Sequence, residues 1–186
     1  SADQDKPARL LEMGLAVKGS VLTYAEGRLA LWSGKPDYID GKGDVLKQAD
    51  YRYLAVANPQ LAPYGRAAQE VLATLQLSDV LRNRAVFGEN IAQTFQFVKT
   101  GNAELGFIAL SQIIEQGEIA EGSAWLVPTD FHMPIKQDAV LLNAGADNKA
   151  AQAFMAFLRT DETQQIVRAY GYEIPDSVNY LHVKRR

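Results

Sequence analysis

The chain holds 186 residues, with 22 Asp and Glu against 19 Lys and Arg, for a formal charge of −3. That length suits one generous domain or two small ones, and the mild acidity argues against a general nucleic-acid binder, which needs a basic field to gain from counterion release. The absence of cysteine excludes disulfides, thiolate zinc sites, iron–sulfur clusters and thiol nucleophiles together, while leaving the redox compartment open.

The two histidines, His132 and His182, lie far apart in the sequence, and neither belongs to a metal-ligand motif. No apolar stretch approaches the roughly 18–20 residues of a membrane-spanning helix. The chain opens on Ser1-Ala-Asp-Gln, without Met or a basic-then-apolar leader. The expectation is that a targeting signal was removed or never belonged to it.

Ala8, Leu11 and Leu15 recur at helical spacing and predict a helix after Pro7. Val21 to Trp32 reads as one long extended segment or two strands meeting at Gly27. Gly34-Lys-Pro36 and Asp40-Gly-Lys-Gly43 are turn chemistry. Tyr53–Ala57 is a short apolar strand, and from Arg66 to Leu75 the residues Ala67, Ala68, Val71, Leu72 and Leu75 share one helical face. Arg84–Phe87 reads as a second strand, followed by a helix to Thr100 with Ile91, Phe95 and Val98 on its apolar side and Gly101 as its stop. Leu105–Leu110 is a buried strand, with Ser111 placed to cap a helix after it. Trp125–Pro128 is an edge strand, and Gln137–Leu142 a strand running toward Gly145. Two helices close the pattern, Lys149–Arg159 and Glu162–Tyr170. Strands alternating with helices imply an α/β fold with a mostly parallel sheet. The tail Tyr180–Arg186 is basic.

Two segments share one design, a short apolar strand, a turn, and a helix whose first turn carries small or amide residues. In Ala57-Asn-Pro-Gln-Leu-Ala-Pro-Tyr-Gly65, Pro63 suits the first helical position and Tyr64 could turn inward or outward. In Gly88-Glu-Asn-Ile-Ala-Gln93, Asn90 is a good N-cap and Ile91 the first residue inside. Both helix starts fall at carboxyl ends of strands, where ligands bind in open α/β sheets, and their free N–H groups suit an anion. Most capped helices bind nothing, and a tyrosine is more often a core or rim aromatic than a ligand. Glu89 would repel an anion and reads as pointing away, complementing the helix dipole. Asp138, within an apolar strand, needs a partner if buried. His132 reads as a loop residue. Phosphate-binding loops, Gly-x-Ser-x-Gly and His-Glu-x-x-His are missing, which lowers an enzymatic reading.

At these segments the sequence resembles the periplasmic molybdate-binding proteins of ABC transporters, which have the two-lobed type II solute-binding fold. The matching pieces are Ser1-Ala-Asp3, Gly19–Tyr24, Gly27–Ser33, Asn58–Gly65, Glu89–Gln93, Ala103–Gln112, Pro134–Val140 and Tyr170-Gly-Tyr172, in order and covering nearly everything before Pro175. The resemblance implies a type II periplasmic-binding-protein-like two-lobed α/β fold that binds molybdate or tungstate through backbone N–H and hydroxyl donors, with no cofactor and no direct metal ligand. It implies Tyr64 as a donor from the second lobe and Ile91 as the residue whose backbone N–H caps the anion. Ala109 stands where some relatives place a different ligand tyrosine, and Asn90 and Gln93 lie near the site without being ligands. The implied partner is the membrane permease of an ABC importer, and the implied location the periplasm.

Within that family Ser-Ala-Asp ends a strand deep in the first lobe, with roughly 60 residues, about two βαβ-type repeats, ahead of it. The chain is therefore expected to hold a complete second lobe, 30–136, and a partial first lobe, 1–29 with 137–186, lacking its N-terminal βα units. Such a chain should bind molybdate weakly or not at all, since half the donors that replace hydration are gone. Exposed apolar surface should favour a dimer or swapped assembly. Two further readings stand beside this one. One is an oxyanion-sensing regulatory domain of the same fold, and the other a small α/β enzyme using Asp138 or Glu89.

Overall fold

The structure is a computed structural model, and it describes residues 3–48 and 50–175. In chain order its elements begin with α1 (Asp5–Glu12), β1 (Leu22–Gly27), β2 (Leu29–Ser33), α2 (Val45–Gln48), β3 (Leu54–Ala57), α3 (Pro63–Thr74), α4 (Asp79–Asn83) and β4 (Ala85–Gly88). There follow α5 (Ile91–Lys99), β5 (Leu105–Ala109), β6 (Ile114–Glu115), β7 (Glu118–Ile119), β8 (Ser123–Leu126), β9 (Ile135–Ala139), α6 (Lys149–Phe157) and α7 (Asp161–Ala169). They form two compact units, one from the residues up to Gly27 together with those from Ile135 onward, the other Arg28–Pro134. The division falls two residues ahead of the expected boundaries at both crossings. Its cause is local: β1 pairs with β9, whereas β2, one residue later, pairs with β5 and β8.

In the Arg28–Pro134 unit a five-stranded sheet runs in the order β4-β3-β5-β2-β8. The mostly parallel sheet expected from the alternation is present, with one strand reversed. β3 is parallel to β4 and β5, but β2 runs antiparallel to both β5 and β8. Every residue of the three inner strands is buried, as their unbroken apolar runs require of strands covered on both faces. Trp32, fully buried, stacks on Phe95 of α5 with centroids 5.2 Å apart and donates its indole N–H to the Glu121 carbonyl at 2.9 Å. On α3 the buried face is Tyr64, Ala67, Ala68, Val71 and Leu72, and side chains of the size of Val71 and Leu72 each contribute about 1.5–3 kcal/mol when fully buried.

Ser111 does not cap a helix. It sits inside a single 3-10 turn, Leu110–Gln112, and the chain continues as the β6–β7 hairpin. Gln116 and Gly117 take φ of 53° and 89°, the left-handed pair that closes a two-residue hairpin. Trp125 lies on β8, an edge strand that covers Ser123–Leu126.

The other unit joins α1, the antiparallel pair β1–β9, α6 and α7. Helix α1 starts two residues before Pro7, whose missing N–H is harmless in a first turn. The strand expected over 137–142 lies at Ile135–Ala139 because pairing with β1 runs from Gly27↔Ile135 to Leu22↔Ala139. Beyond it Leu141 accepts the Val17 N–H at 2.8 Å. Asp138, 2% exposed, accepts hydrogen bonds from the Thr23 hydroxyl at 2.6 Å and the Gln4 amide at 3.2 Å. Met13, Leu15, Leu142, Phe154, Phe157, Ile166 and Tyr170 of this unit stand exposed. The basic tail and His182 lie outside the described residues.

Replacing Thr23 by valine keeps the shape and strands a buried carboxylate short of its nearest donor. The variant should lose about 1.5–3 kcal/mol of stability, measured by urea denaturation.

Candidate functional site

Strands β3 and β4 are parallel neighbours, and their last residues are partners in register, Ala57 opposite Gly88. Their carboxyl ends therefore reach one edge of the sheet together. The turn after β3 is tied to the end of β4 by the Asn58 N–H, which donates to the Gly88 carbonyl at 2.7 Å. Asn58 organises the rest of that turn. Its carbonyl accepts the Leu61 and Ala62 N–H groups at 3.0 and 2.9 Å, and its Oδ1 accepts the Gln60 N–H at 2.9 Å.

Ala62, in extended backbone, then opens α3, and its carbonyl accepts the N–H groups of Gly65 and Arg66. Pro63 takes the first helical position, as its lack of an N–H favours. The sequence did not reveal why glycine follows Tyr64. A Cβ at Gly65 would lie 2.1 Å from the Ala57 carbonyl oxygen, so the first turn of α3 rests directly on the strand it follows. Tyr64 is buried, 4% exposed.

The second helix start uses the same device. A Cβ on Gly88 would come within 2.6 Å of the Thr94 hydroxyl and 2.8 Å of its backbone nitrogen, so α5 also begins hard against its strand. Asn90 caps it from extended backbone (φ −149°, ψ 171°), its Oδ1 accepting the Gln93 N–H at 2.9 Å. Gln93 reaches back, its Oε1 accepting the Glu89 N–H at 2.6 Å. This resembles a capping box, displaced by one residue because the amide oxygen takes the N–H of Glu89 in place of that of the N-cap Asn90, and it gives Gln93 a structural role. Thr94, fully buried, donates both its N–H and its hydroxyl to the Asn90 carbonyl.

Among the described residues, those bonds leave three backbone N–H groups of this helix start open, at Asn90, Ile91 and Ala92. They sit at the positive end of the helix dipole, where an anion is stabilised. Glu89 is exposed ahead of them, and Ala109, the last residue of β5, is buried.

The structure thus brings Tyr64 and Ile91 to one end of one sheet. Asp138 belongs to the other unit and is engaged by Thr23 and Gln4. His132, expected in a loop, follows a 3-10 turn and is buried, with Nδ1 2.8 Å from the Met133 carbonyl. That contact assigns the proton to Nδ1. Among the described residues no group of three or more His, Asp or Glu could hold a metal ion, and no helix is long and apolar enough to cross a membrane.

Comparison with known proteins adds four findings. Residues 1–173 match the family described as bacterial extracellular solute-binding protein. The chain is 49% identical over 172 residues to the molybdate-binding protein ModA of Azotobacter vinelandii, covering 92% of this chain and 68% of the relative. It is equally 49% identical over 173 residues to ModA of Rhodobacter capsulatus, covering 92% and 67%. The solved structure of the Azotobacter vinelandii periplasmic molybdate-binding protein superposes with a TM-score of 0.89 at 40% identity, covering 95% of this chain and 77% of that one.

The close seating of both helices is testable. Gly65→Ala forces a methyl group onto backbone that cannot swing aside, and it should cost about 1–3 kcal/mol of stability. Asn90→Ala removes only a cap and should cost about 1 kcal/mol. Thermal and urea unfolding of the two variants side by side give the comparison.

Proposed function

The chain belongs to the family of bacterial extracellular solute-binding proteins, and from that premise we propose that it is the periplasmic carrier of a tetrahedral oxyanion, molybdate or tungstate, for the permease of an ABC importer. The observation that carries the reading is the pair of unpartnered N–H groups at Ile91 and Ala92, on the same sheet end as Tyr64. Two relatives at 49% identity are molybdate-binding proteins, which favours molybdate among the anions such donors would accept.

The chemistry is recognition alone. A tetrahedral dianion presents oxygen lone pairs in every direction and gives up tightly held water on binding, so the site must return hydrogen bonds in kind. Ile91 donates its backbone N–H from the start of α5. Tyr64 donates its phenolic hydroxyl from the start of α3. No bond to the ligand is made or broken, and nothing in the role requires a resident cofactor. Asp138 and Glu89 serve structure in this reading. The carboxylate of Asp138 holds Thr23 and Gln4, and Glu89 faces solvent at a helix start.

Titration calorimetry with sodium molybdate tests the proposal on the protein expressed from its full reading frame. Saturable one-to-one binding is expected, with sulfate weaker, and an absence of saturable heat would sink the idea. The same titration on residues 1–186 measures the share of the donor set held here.

Ile91→Pro isolates the backbone donor. Proline is tolerated at the first helical position, and Asn90 already has the extended backbone a residue before proline prefers. The helix should persist while molybdate affinity falls about tenfold or more, the scale of one hydrogen bond to a charged group. Tyr64→Phe should produce a loss of similar size.

A further inference from the structure

Gln112 follows β5 by three residues and stands half-buried at the end of the 3-10 turn. Its side-chain oxygen accepts the Ala109 N–H at 3.0 Å, and its side-chain nitrogen donates to the Ile91 carbonyl at 3.3 Å. An N–H at one end and a carbonyl at the other fix the amide's orientation without ambiguity. The side chain therefore bridges the end of β5 and the first residue of α5, which lies 21 positions before Gln112 in the chain.

The carbonyl that Gln112 holds is not an arbitrary one. The Ile91 C=O and the Ala92 N–H belong to one rigid, planar peptide unit and point in opposite directions. Fixing the carbonyl fixes the N–H behind it, and one of the open donors of the site is aimed by a side chain that never touches the ligand. Donation to a carbonyl also polarises its peptide, making the N–H at the other end a stronger donor. Asn90, Gln93 and Thr94 secure the ring of bonds around this turn but leave that plane itself to the helix ladder alone.

We propose that Gln112 is a positioning residue of the oxyanion site, a strut from β5 that sets the tilt of the Ile91–Ala92 peptide plane and so tunes both affinity and discrimination between anions of different size. The proposal rests on the oxyanion reading given above. It concerns a residue that acts through α5, in contrast to Tyr64 and Ile91, which are read as touching the ligand. Anions such as molybdate and sulfate share a shape and differ in radius, so a loosened donor should blunt their distinction as well as weaken binding.

The test uses the full-length protein and its Gln112→Met variant, which keeps the length and removes both hydrogen bonds. Molybdate affinity should fall about five- to tenfold, the scale of one displaced hydrogen bond, and the molybdate-to-sulfate affinity ratio should narrow. In the ligand-free protein the Ala92 amide nitrogen resonance, which responds to hydrogen bonding at the preceding carbonyl, should shift. Gln112→Glu supplies a second reading if the methionine variant folds poorly. It can still accept the Ala109 N–H, but can donate to Ile91 only when protonated. Its Ala92 resonance should therefore return toward the wild-type position as pH is lowered. Unchanged affinity and anion ratio in Gln112→Met, with only a lower melting temperature, would show a purely structural glutamine and overturn the proposal. Wild-type protein without molybdate binding would instead defeat the functional reading. In that case an unmoved Ala92 resonance in both variants would overturn the strut as well.

Discussion

One register decides the architecture of the candidate site. Ala57 and Gly88 end adjacent parallel strands opposite one another, and the Asn58 N–H clasps the Gly88 carbonyl across the gap. A slip of one residue would turn every side chain on β4 to the opposite face and move the start of α5 along the sheet edge relative to α3. Because the strands are held in step, two helices launch from neighbouring points. The glycines at 65 and 88 let each helix settle onto its own strand with no side chain between. Tyr64 and Ile91 come to the same end of the sheet for that reason, although 26 intervening residues separate them in the chain.

The electrostatic logic follows from the same geometry. With a formal charge of −3, the protein as a whole does not attract an anion, and no surplus of lysine or arginine belongs to the helix starts described above. What those starts offer is short-range, since a helix dipole acts within its first turn. The α5 start spends its side chains on its own backbone. Asn90 accepts the Gln93 N–H and Gln93 that of Glu89, Thr94 anchors the cap, and the N–H groups of Ile91 and Ala92 stay open. Sequestering the side chains in this way makes the open donors rigid. Rigid donors lose little entropy on binding and distinguish ligands by distance.

Much of this was legible in the sequence, and the reasons differ from element to element. Pro63 and Asn90 announce helix starts by local chemistry alone, and the structure has α3 and α5 beginning at Pro63 and Ile91. The buried strands β3 and β5 were visible as short apolar runs. Strand direction was not: nothing in Leu29–Ser33 says that it runs antiparallel to β5, because that depends on where the chain has been. The helix expected after Ser111 failed because Gln116-Gly117 supplied a hairpin turn that outweighed a weak capping signal. The roles of Gly65, Gly88 and Gln112 were hidden for a related reason. Each exists only through a contact with a strand end or a helix start, and spacing along the chain carries no record of it.

The open donors of α5 belong to the main chain, and this has a consequence for how such a site varies. Ile91 and Ala92 present the same two N–H groups whichever side chains they carry, so nearly any substitution there leaves the donors in place. An alanine scan would pass over this part of the molecule in silence. Sensitivity is displaced to the residues that hold the backbone still, a cap, a threonine anchor and the glycine at 88, none of them recognisable by type as a ligand. The surface offered at this helix start is thus a property of a chain path, and side-chain chemistry is only its scaffolding.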